Sequence, residues 1–451
     1  MKDVLLITID SLRADHVGCL GYERDTTPVI DDFAEGGHTF ENTFAHACST
    51  RPSFPSIMAS SHALMHGGFE TMTDGRTMVA EVFDEGGYET AGFHSNLYLS
   101  ADFGYDRGFD TFYDSKSDPS MTARVRQGVR DKLDSDGLLY KILASAFDTA
   151  ERQAGINIGS AYETATDLTD RGLEWATQQS AAGARFLWVH YMDVHHPYVP
   201  PAEYQREFRD SAIGESRSIQ LRRKMIEDPE SVTDDELDDI IDLYDAEIRY
   251  TDAEIGRLID TIEESWGTDP VTIITADHGE EFLDHGQFSH YTHFYDEVMR
   301  VPLFLDGVPD SGSHDELVGL QDVPATLVDY ADLPMPDSWQ GWSLGKILDG
   351  EAWPRTHVIG DWSDRDGESR YGYRDTEWKF VRRDSGEELY DLVADPGETR
   401  NVIDEHPDVA ERLGAEIDDH ERAIEATTAE QVEVEMDEDV KSRLRDLGYK
   451  E

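Results

Sequence analysis

VTIITADHGEEFLDHGQFSHYTHFYDEVMRVP, running from Val271 to Pro302, is the stretch from which the rest of the chain can be read. It opens on apolar, β-branched residues, the pattern of a buried strand. The strand runs out at Asp277-His278-Gly279-Glu280, and Asp284, His285, His290 and His293 follow. A carboxylate and an imidazole at the carboxyl end of a strand suit a divalent metal. Open α/β sheets bind their ligands at that edge. A merely solvated polar loop would explain the acids, but not four histidines in so short a span.

The amino terminus repeats the arrangement. VLLITI (Val4 to Ile9) is a second buried strand, and Asp10-Ser11 follows it directly. A single Asp after a strand is most often a helix cap. Two strands far apart in sequence, each ending in a carboxylate, predict one shared metal site. The block CSTRPSFPSIMASSHALMHGG (Cys48 to Gly68) has Pro52 and Ser53 where a helix starts. Thr50 precedes them, so its hydroxyl faces the positive helix end, where an oxyanion is favoured. With a metal on the same oxygen, Thr50 becomes a nucleophile; without one it is a cap.

Composition narrows the function. The chain has 96 acids against 39 bases and a formal net charge of -57, yet 38% of its residues are hydrophobic. A folded core under an acidic surface is the pattern of a protein working in concentrated salt, where at ~1 M the Debye length falls to about 3 Å. A halophile's salt-loaded cytoplasm is the expected compartment. Nucleic acid is not an expected partner for such a charge. Cys19 and Cys48 are too few for a disulfide framework. No signal peptide and no apolar run of the ~20 residues needed to cross a membrane are read, so no membrane insertion is expected.

Several ordered blocks carry a family resemblance. They are LLITIDSLRADHVGCLGY with TTPVIDDFAEGGHTFENTFA, TRPSFPSIMAS, GYETAGFHSN, GFDTFYD, WVHYMDVHHPYVPP, TADHGEE with MRVPLFL, and WKFVRRDSGEELYDLVADPGETRNV. Together they resemble the sulfatase family of the alkaline phosphatase superfamily over nearly the whole chain, except about 116–180. The resemblance implies an α/β, alkaline-phosphatase-like sandwich: a large, mostly parallel sheet flanked by helices, with a small C-terminal antiparallel sheet. It places Asp10, Asp277 and His278 on the metal positions and Thr50 on the nucleophile position. His195 falls on a histidine that contacts the substrate's anionic oxygens. His290 stands where many members have a lysine for the same anion, with His293 close by and His285 in the family's His-Gly pair. Arg51 and Asn96 join His195 and His290 as expected substrate contacts. One of His285, His290 or His293 is expected to protonate the leaving alcohol. A small anionic ester is the implied substrate.

The departures from the family matter as much. Formylglycine forms from Cys or Ser within C/S-x-P-x-R, but this chain reads Thr50-Arg51-Pro52-Ser53-Phe54, and Cys48 is two residues out of register. No formylglycine is expected. Ser11 replaces a second metal-binding Asp, and Ser95-Asn96 stands where many sulfatases have Lys and His. Threonine nucleophiles belong to phosphodiesterase and phosphoalcohol-transferase relatives. The expected reaction is therefore phosphoester cleavage, a phosphodiester favoured. The alternatives are a sulfuric ester hydrolase acting without formylglycine and a non-catalytic ester-binding relative. One divalent ion is expected. Calcium is the family's usual ion, but it prefers oxygen ligands, and the imidazole favours manganese or zinc. Asp193, His195, His196, His290 and His293 could supply the extra ligands of a second ion, but a single ion is the simpler reading.

The remaining chain predicts a catalytic domain over 1–355 with a helical insertion at about 116–180, and a C-terminal unit over 356–451. In the insertion, VRQGVRDKL, GLLYKILASAFDTAERQ and ATDLTDRGLEWATQ show helical spacing. The first two are candidates for a lid and the third for a helix packed on the sheet. A long helix is expected over 238–264. THVIGDW, RYGYRDTEWKFVRR and EELYDL read as short antiparallel strands, followed by a helix from Pro407 to about Ala426. EQVEVEMDEDV reads as a linker and KSRLRDLGYKE as a helical tail.

Overall fold

The apolar runs become strands of one large sheet. The computed structural model describes residues 1–115, 162–178, 183–290, 293–364 and 367–427. The sheet contains β1 (Val4–Ile9), β2 (His38–Phe44), β3 (Glu89–His94), β4 (Thr111–Tyr113), β5 (Arg185–Tyr191), β6 (Val271–Ala276), β7 (Leu303–Asp306) and β8 (Gly312–Gly319). Their order is β4-β3-β5-β1-β6-β7-β2-β8. Neighbours run parallel except at β7, which is antiparallel to both β6 and β2. The three central strands, β5, β1 and β6, are buried along their full length. A parallel strand covered on both faces has no solvent side, which is why these segments read as continuous apolar runs.

Register then sets the site. β1 pairs with β6 from Val4↔Val271 to Ile9↔Ala276, so Asp10 and Asp277 leave the sheet at the same level. β5 pairs with β1 through Thr8↔His190 and Ile9↔Tyr191, bringing His190 to that edge as well.

The helices form two groups. The long helix Asp234–Trp266 packs against Ala165–Gln178, Ala202–Phe208 and Pro28–Gly36. It begins four residues before the expected 238 because Thr233 and Glu236 close a capping box ahead of it. It stops at Gly267, in the left-handed region at φ 67°. In the second group, Thr50–Ala59 packs against Val79–Glu85 and Asp322–Tyr330. ATDLTDRGLEWATQ is the helix Ala165–Gln178 and lies on β3 and β5. VRQGVRDKL, GLLYKILASAFDTAERQ, EQVEVEMDEDV and KSRLRDLGYKE lie outside the described residues.

A second sheet follows: β9 (Val358–Ser363), β10 (Ser369–Arg374), β11 (Trp378–Arg383) and β12 (Gly386–Asp391), antiparallel in the order β12-β11-β10-β9. The helix Pro407–Ala426 packs on β10 and β11. The architecture is thus the one the resemblance implied. Among the described residues, no helix is long and apolar enough to cross a membrane.

A buried ion network joins the two sheets. Lys379 on β11 is 2% exposed and its Nζ meets Asp296 at 2.5 Å and the Glu398 carboxylate. Arg374 Nη2 reaches Asp296 at 3.1 Å, and the Asp296 backbone N–H donates to Glu398 Oε2 at 2.8 Å. Burial raises the Asp296 carboxyl, but Lys379 and Arg374 outweigh it and leave it below the ordinary carboxylate range. Removing the central cation leaves the buried Glu398 carboxylate without its cation and Asp296 with Arg374 alone. Lys379→Met is therefore expected to cost ~3–5 kcal/mol, read as a lower midpoint in chemical denaturation. An unchanged midpoint would remove the network from the stability of the fold.

Most surface charge has no such partner. With a net charge of -57, at least that many acids have no basic residue available. Self-repulsion then opposes the compact state until salt screens it. The thermal midpoint is expected to rise steadily as KCl goes from dilute to molar concentrations. A midpoint indifferent to salt would refute this.

Candidate active site

Thr50 sits between the two strand ends. Its helix begins at Thr50 itself with Ser49 as N-cap, so Thr50 is the first helical residue rather than the residue before the start. Thr50 Oγ1 donates to Asp10 Oδ2 at 3.1 Å and lies 3.3 Å from His278 Nε2. The His278 Nδ1–H donates to the Gly279 carbonyl at 2.8 Å, which leaves the Nε2 lone pair facing the carboxylates. That nitrogen is 3.8 Å from Asp10 and 3.5 Å from Asp277. Gly279 is required at this turn, because a Cβ there would lie 2.0 Å from the Glu297 carbonyl oxygen.

The carboxylates are held by short-range donors. Ser11 Oγ donates to Asp10 Oδ1 at 2.8 Å, and the Ser11 and His278 amides donate to Asp277 Oδ1 at 3.1 and 2.9 Å. Asn96 Nδ2 reaches Asp10 Oδ2 at 3.5 Å. The second oxygen of Asp277 is buried without a hydrogen-bond partner. Burial and the neighbouring Asp10 push the Asp277 carboxyl well above its ordinary range. Burial also raises Asp10, but His190, His195 and His278 outweigh it and hold that carboxyl low. Two carboxylates this close and this dry require a proton or a cation between them. The orphaned Asp277 oxygen, the Asp10 carboxylate and the His278 lone pair fit a divalent cation.

His190 is the residue sequence reasoning missed. Asp10, His190 and Asp277 have donor atoms all within 4.8 Å of one another, and His190 Nε2 is 3.5 Å from Asp10. The signal was its place one residue before the end of β5, visible only once β5 and β1 are known to be neighbours. Glu280, read only as part of the strand's polar end, also joins the site: it meets His290 Nδ1 at 3.2 Å and accepts from the Tyr198 hydroxyl at 3.3 Å. Burial raises its carboxyl to about 7.

Four imidazoles gather beside Thr50. The His290 ring lies 4.2 Å from His278, 5.3 Å from His195 and 6.1 Å from His196. His195 Nδ1–H donates to the His196 carbonyl at 2.6 Å. Burial lowers His195 to about 4, Asp10 opposing, and pushes His290 well below its usual value. Arg222 Nε approaches His196 Nδ1 at 3.4 Å from the helix Glu215–Glu227.

Other predicted residues hold different partners. His285 pairs with Glu297 at 2.6 Å and stacks on Tyr295 at 3.6 Å, while His293 stacks on the same tyrosine at 5.4 Å. Arg51 pairs with Glu70 at 2.6 Å and lies over the Tyr98 and Phe103 rings. The Asp193 carboxylate accepts from the Ala165 amide at 2.9 Å. Among the described residues, the clusters of metal-ligating atoms are Asp10–His190–Asp277 and His62–Asp361–His420. Neither contains Asp193, His195, His196, His290 or His293, the residues considered for a second ion.

Comparisons with known proteins bear on the family and the fold. The sulfatase family model matches residues 2–333, and the model of the N-sulphoglucosamine sulphohydrolase C-terminal region matches residues 284–423. An arylsulfatase of Clostridium perfringens is 25% identical, the match covering 89% of this chain and 90% of that protein. A phosphonate monoester hydrolase of Agrobacterium radiobacter shares the fold at a TM-score of 0.70 and 19% identity, covering 94% of this chain and 96% of that one. A putative sulfatase of Bacteroides thetaiotaomicron does so at 0.64 and 18% identity, covering 98% and 96%. With its family model spanning most of the chain, and with an alkaline-phosphatase-like fold, the protein belongs to the sulfatase family and is a hydrolase of sulfuric or phosphoric esters.

Proposed function

We propose that the enzyme cleaves a phosphoester, a phosphodiester favoured, through Thr50. The observation that carries this reading is the residue at the nucleophile position: an ordinary threonine hydroxyl, 3.1 Å from Asp10 and 3.3 Å from His278. Formylglycine has no precursor there. Cys48 is buried, and burial pushes its thiol up to about 12, so it offers no substitute.

Asp10, Asp277, His278 and the Thr50 oxygen would hold one divalent cation, manganese, zinc or calcium, with His190 as a further donor. When bound, such an ion lowers the hydroxyl's pKa and neutralises the ester's non-bridging oxygens. With its acidity raised in this way, Thr50 would release its proton to solvent, Asp10 Oδ2 orienting the hydroxyl at 3.1 Å, and its Oγ1 would attack phosphorus. His195 is uncharged in the free protein. An anionic ester beside it raises its pKa, so the imidazolium forms with the substrate and donates to the ester. Glu280 keeps a proton near neutrality, and His290, in contact with it, relays that proton to the leaving alcohol. Of the three histidines expected as proton donor, His290 is the one in the cluster. Water or an acceptor alcohol then attacks the threonine phosphoester at phosphorus. A threonine sulfate would lack the escape that a gem-diol gives a formylglycine adduct.

Sulfuric ester hydrolysis without formylglycine is the second reading, favoured by the arylsulfatase relative. Phosphorus chemistry on the same fold is represented by the phosphonate monoester hydrolase. The acidic surface supports a high-salt cytoplasm as the working compartment.

A paired assay at high salt, with an aryl phosphodiester and an aryl sulfate plus Mn²⁺ or Ca²⁺, tests the chemistry. Phosphodiester turnover is expected, and Thr50→Ala should lower it by about three orders of magnitude or more. Sulfate release with no phosphoester turnover would reverse the reading. Chelation is expected to abolish activity and Mn²⁺ or Zn²⁺ to restore it. Full activity in metal-free protein would remove the cation from the mechanism.

A further inference from the structure

A second cluster of metal-ligating side chains lies between the catalytic sheet and the C-terminal sheet. His62 follows the nucleophile helix, Asp361 lies on β9 and His420 on the helix Pro407–Ala426. One donor atom from each falls within 4.8 Å of the others, and all three residues are buried. His420 Nε2 is 3.0 Å from Asp361 Oδ2, and His62 Nδ1 is 4.0 Å from Asp361 Oδ1. The two imidazoles meet edge to face at 4.3 Å.

The geometry is that of an incomplete polar site. His62 Nδ1 is buried and has no hydrogen-bond partner. Its residue is 9% exposed, so an unpaired ring nitrogen here forfeits its hydration with no return. Asp361 is already oriented from behind, since its carboxylate accepts from the Ala63 amide at 2.9 Å and the Leu64 amide at 3.4 Å. His46 backs the cluster, edge-on to His62 at 5.0 Å, with its own Nδ1 donating to the Ile359 carbonyl at 2.9 Å. Fixed ligands with outer supports are what a metal centre needs.

We propose that His62, Asp361 and His420 bind a transition-metal ion of the zinc class and so tie the C-terminal sheet and helix to the loop after the nucleophile helix. Two imidazoles and one carboxylate suit zinc, which takes such ligands tetrahedrally at about 2.0–2.2 Å. Ligands at that radius stand about 3.3 Å apart. The 3.0 and 4.0 Å separations bracket that value, so a small shift of the His62 ring completes the set. The fourth position is left to water. On binding, the ion takes the place of any proton on His420 Nε2, and that proton leaves to solvent.

Zinc binding to the full-length, chelator-stripped protein, measured by equilibrium dialysis with elemental analysis in high salt, tests this. His62→Gln and His420→Gln are each expected to bind about one equivalent fewer than wild type. Asp277→Asn, which alters the active-site carboxylates, should keep that equivalent. Zinc should raise the thermal midpoint of Asp277→Asn, and adding His62→Gln to that variant should remove the rise. His62 Nδ1 makes no hydrogen bond, so His62→Gln leaves the existing network standing and decides the matter even if His420→Gln fails to fold. Equal zinc stoichiometry in wild type and His62→Gln would overturn the proposal.

Discussion

Two carboxylates forced together in a dry place organise this molecule. Asp10 and Asp277 end adjacent parallel strands in register, and neither has solvent access. Isolated buried charges of like sign are costly enough that the surroundings must answer them. Here the answer comes from backbone amides, the Ser11 and Thr50 hydroxyls, and a ring of imidazoles. The same arrangement that suits a cation would, in the proposed reaction, also make the Thr50 oxygen acidic when one is present. Stability and chemistry draw on one electrostatic fact.

Much of this was legible in the sequence, for physical reasons. Continuous apolar runs report strands covered on both faces, so β1 and β6 could be read directly. A carboxylate immediately after each run then placed Asp10 and Asp277, and Pro52 with Ser53 marked the helix that presents Thr50. His190 was hidden because its importance depends on which strand lies beside β1, and strand order is a long-range property. The reverse failure befell His285 and His293. They are close in sequence to His290, yet the intervening chain carries them to Tyr295 and Glu297. Nearness along a loop says little about which way its side chains face. Arg51 teaches the same point, since a residue next to Thr50 on its helix points to a different neighbour.

The histidine cluster differs from a cationic anion pocket in how it handles charge. Burial pushes His195, His196 and His290 below the ordinary imidazole range, so under the proposed reaction their positive charge would form only as an anion binds. Glu280, whose carboxyl burial raises to about 7, would do the corresponding work on the acid side. Such a pocket would tolerate a strongly acidic protein exterior, because its attraction for an anion would be created locally at the moment of binding rather than projected through solvent.

The ion network around Lys379 changes what counts as a module in this chain. Asp296, which it grips, lies six residues beyond His290, on the same excursion that leaves the metal strand. The C-terminal sheet therefore holds the far end of the loop that supplies a histidine to the site. The match to a C-terminal family model begins at residue 284, inside that loop and well before β9. It overlaps the sulfatase model, which runs to residue 333, so the loop is shared by both matches while the ion network ties it to the sheet. A chimera joined at the visible boundary between the two sheets would pair one protein's loop with another's anchor, whereas a junction ahead of residue 284 keeps each loop with the partner that shapes it.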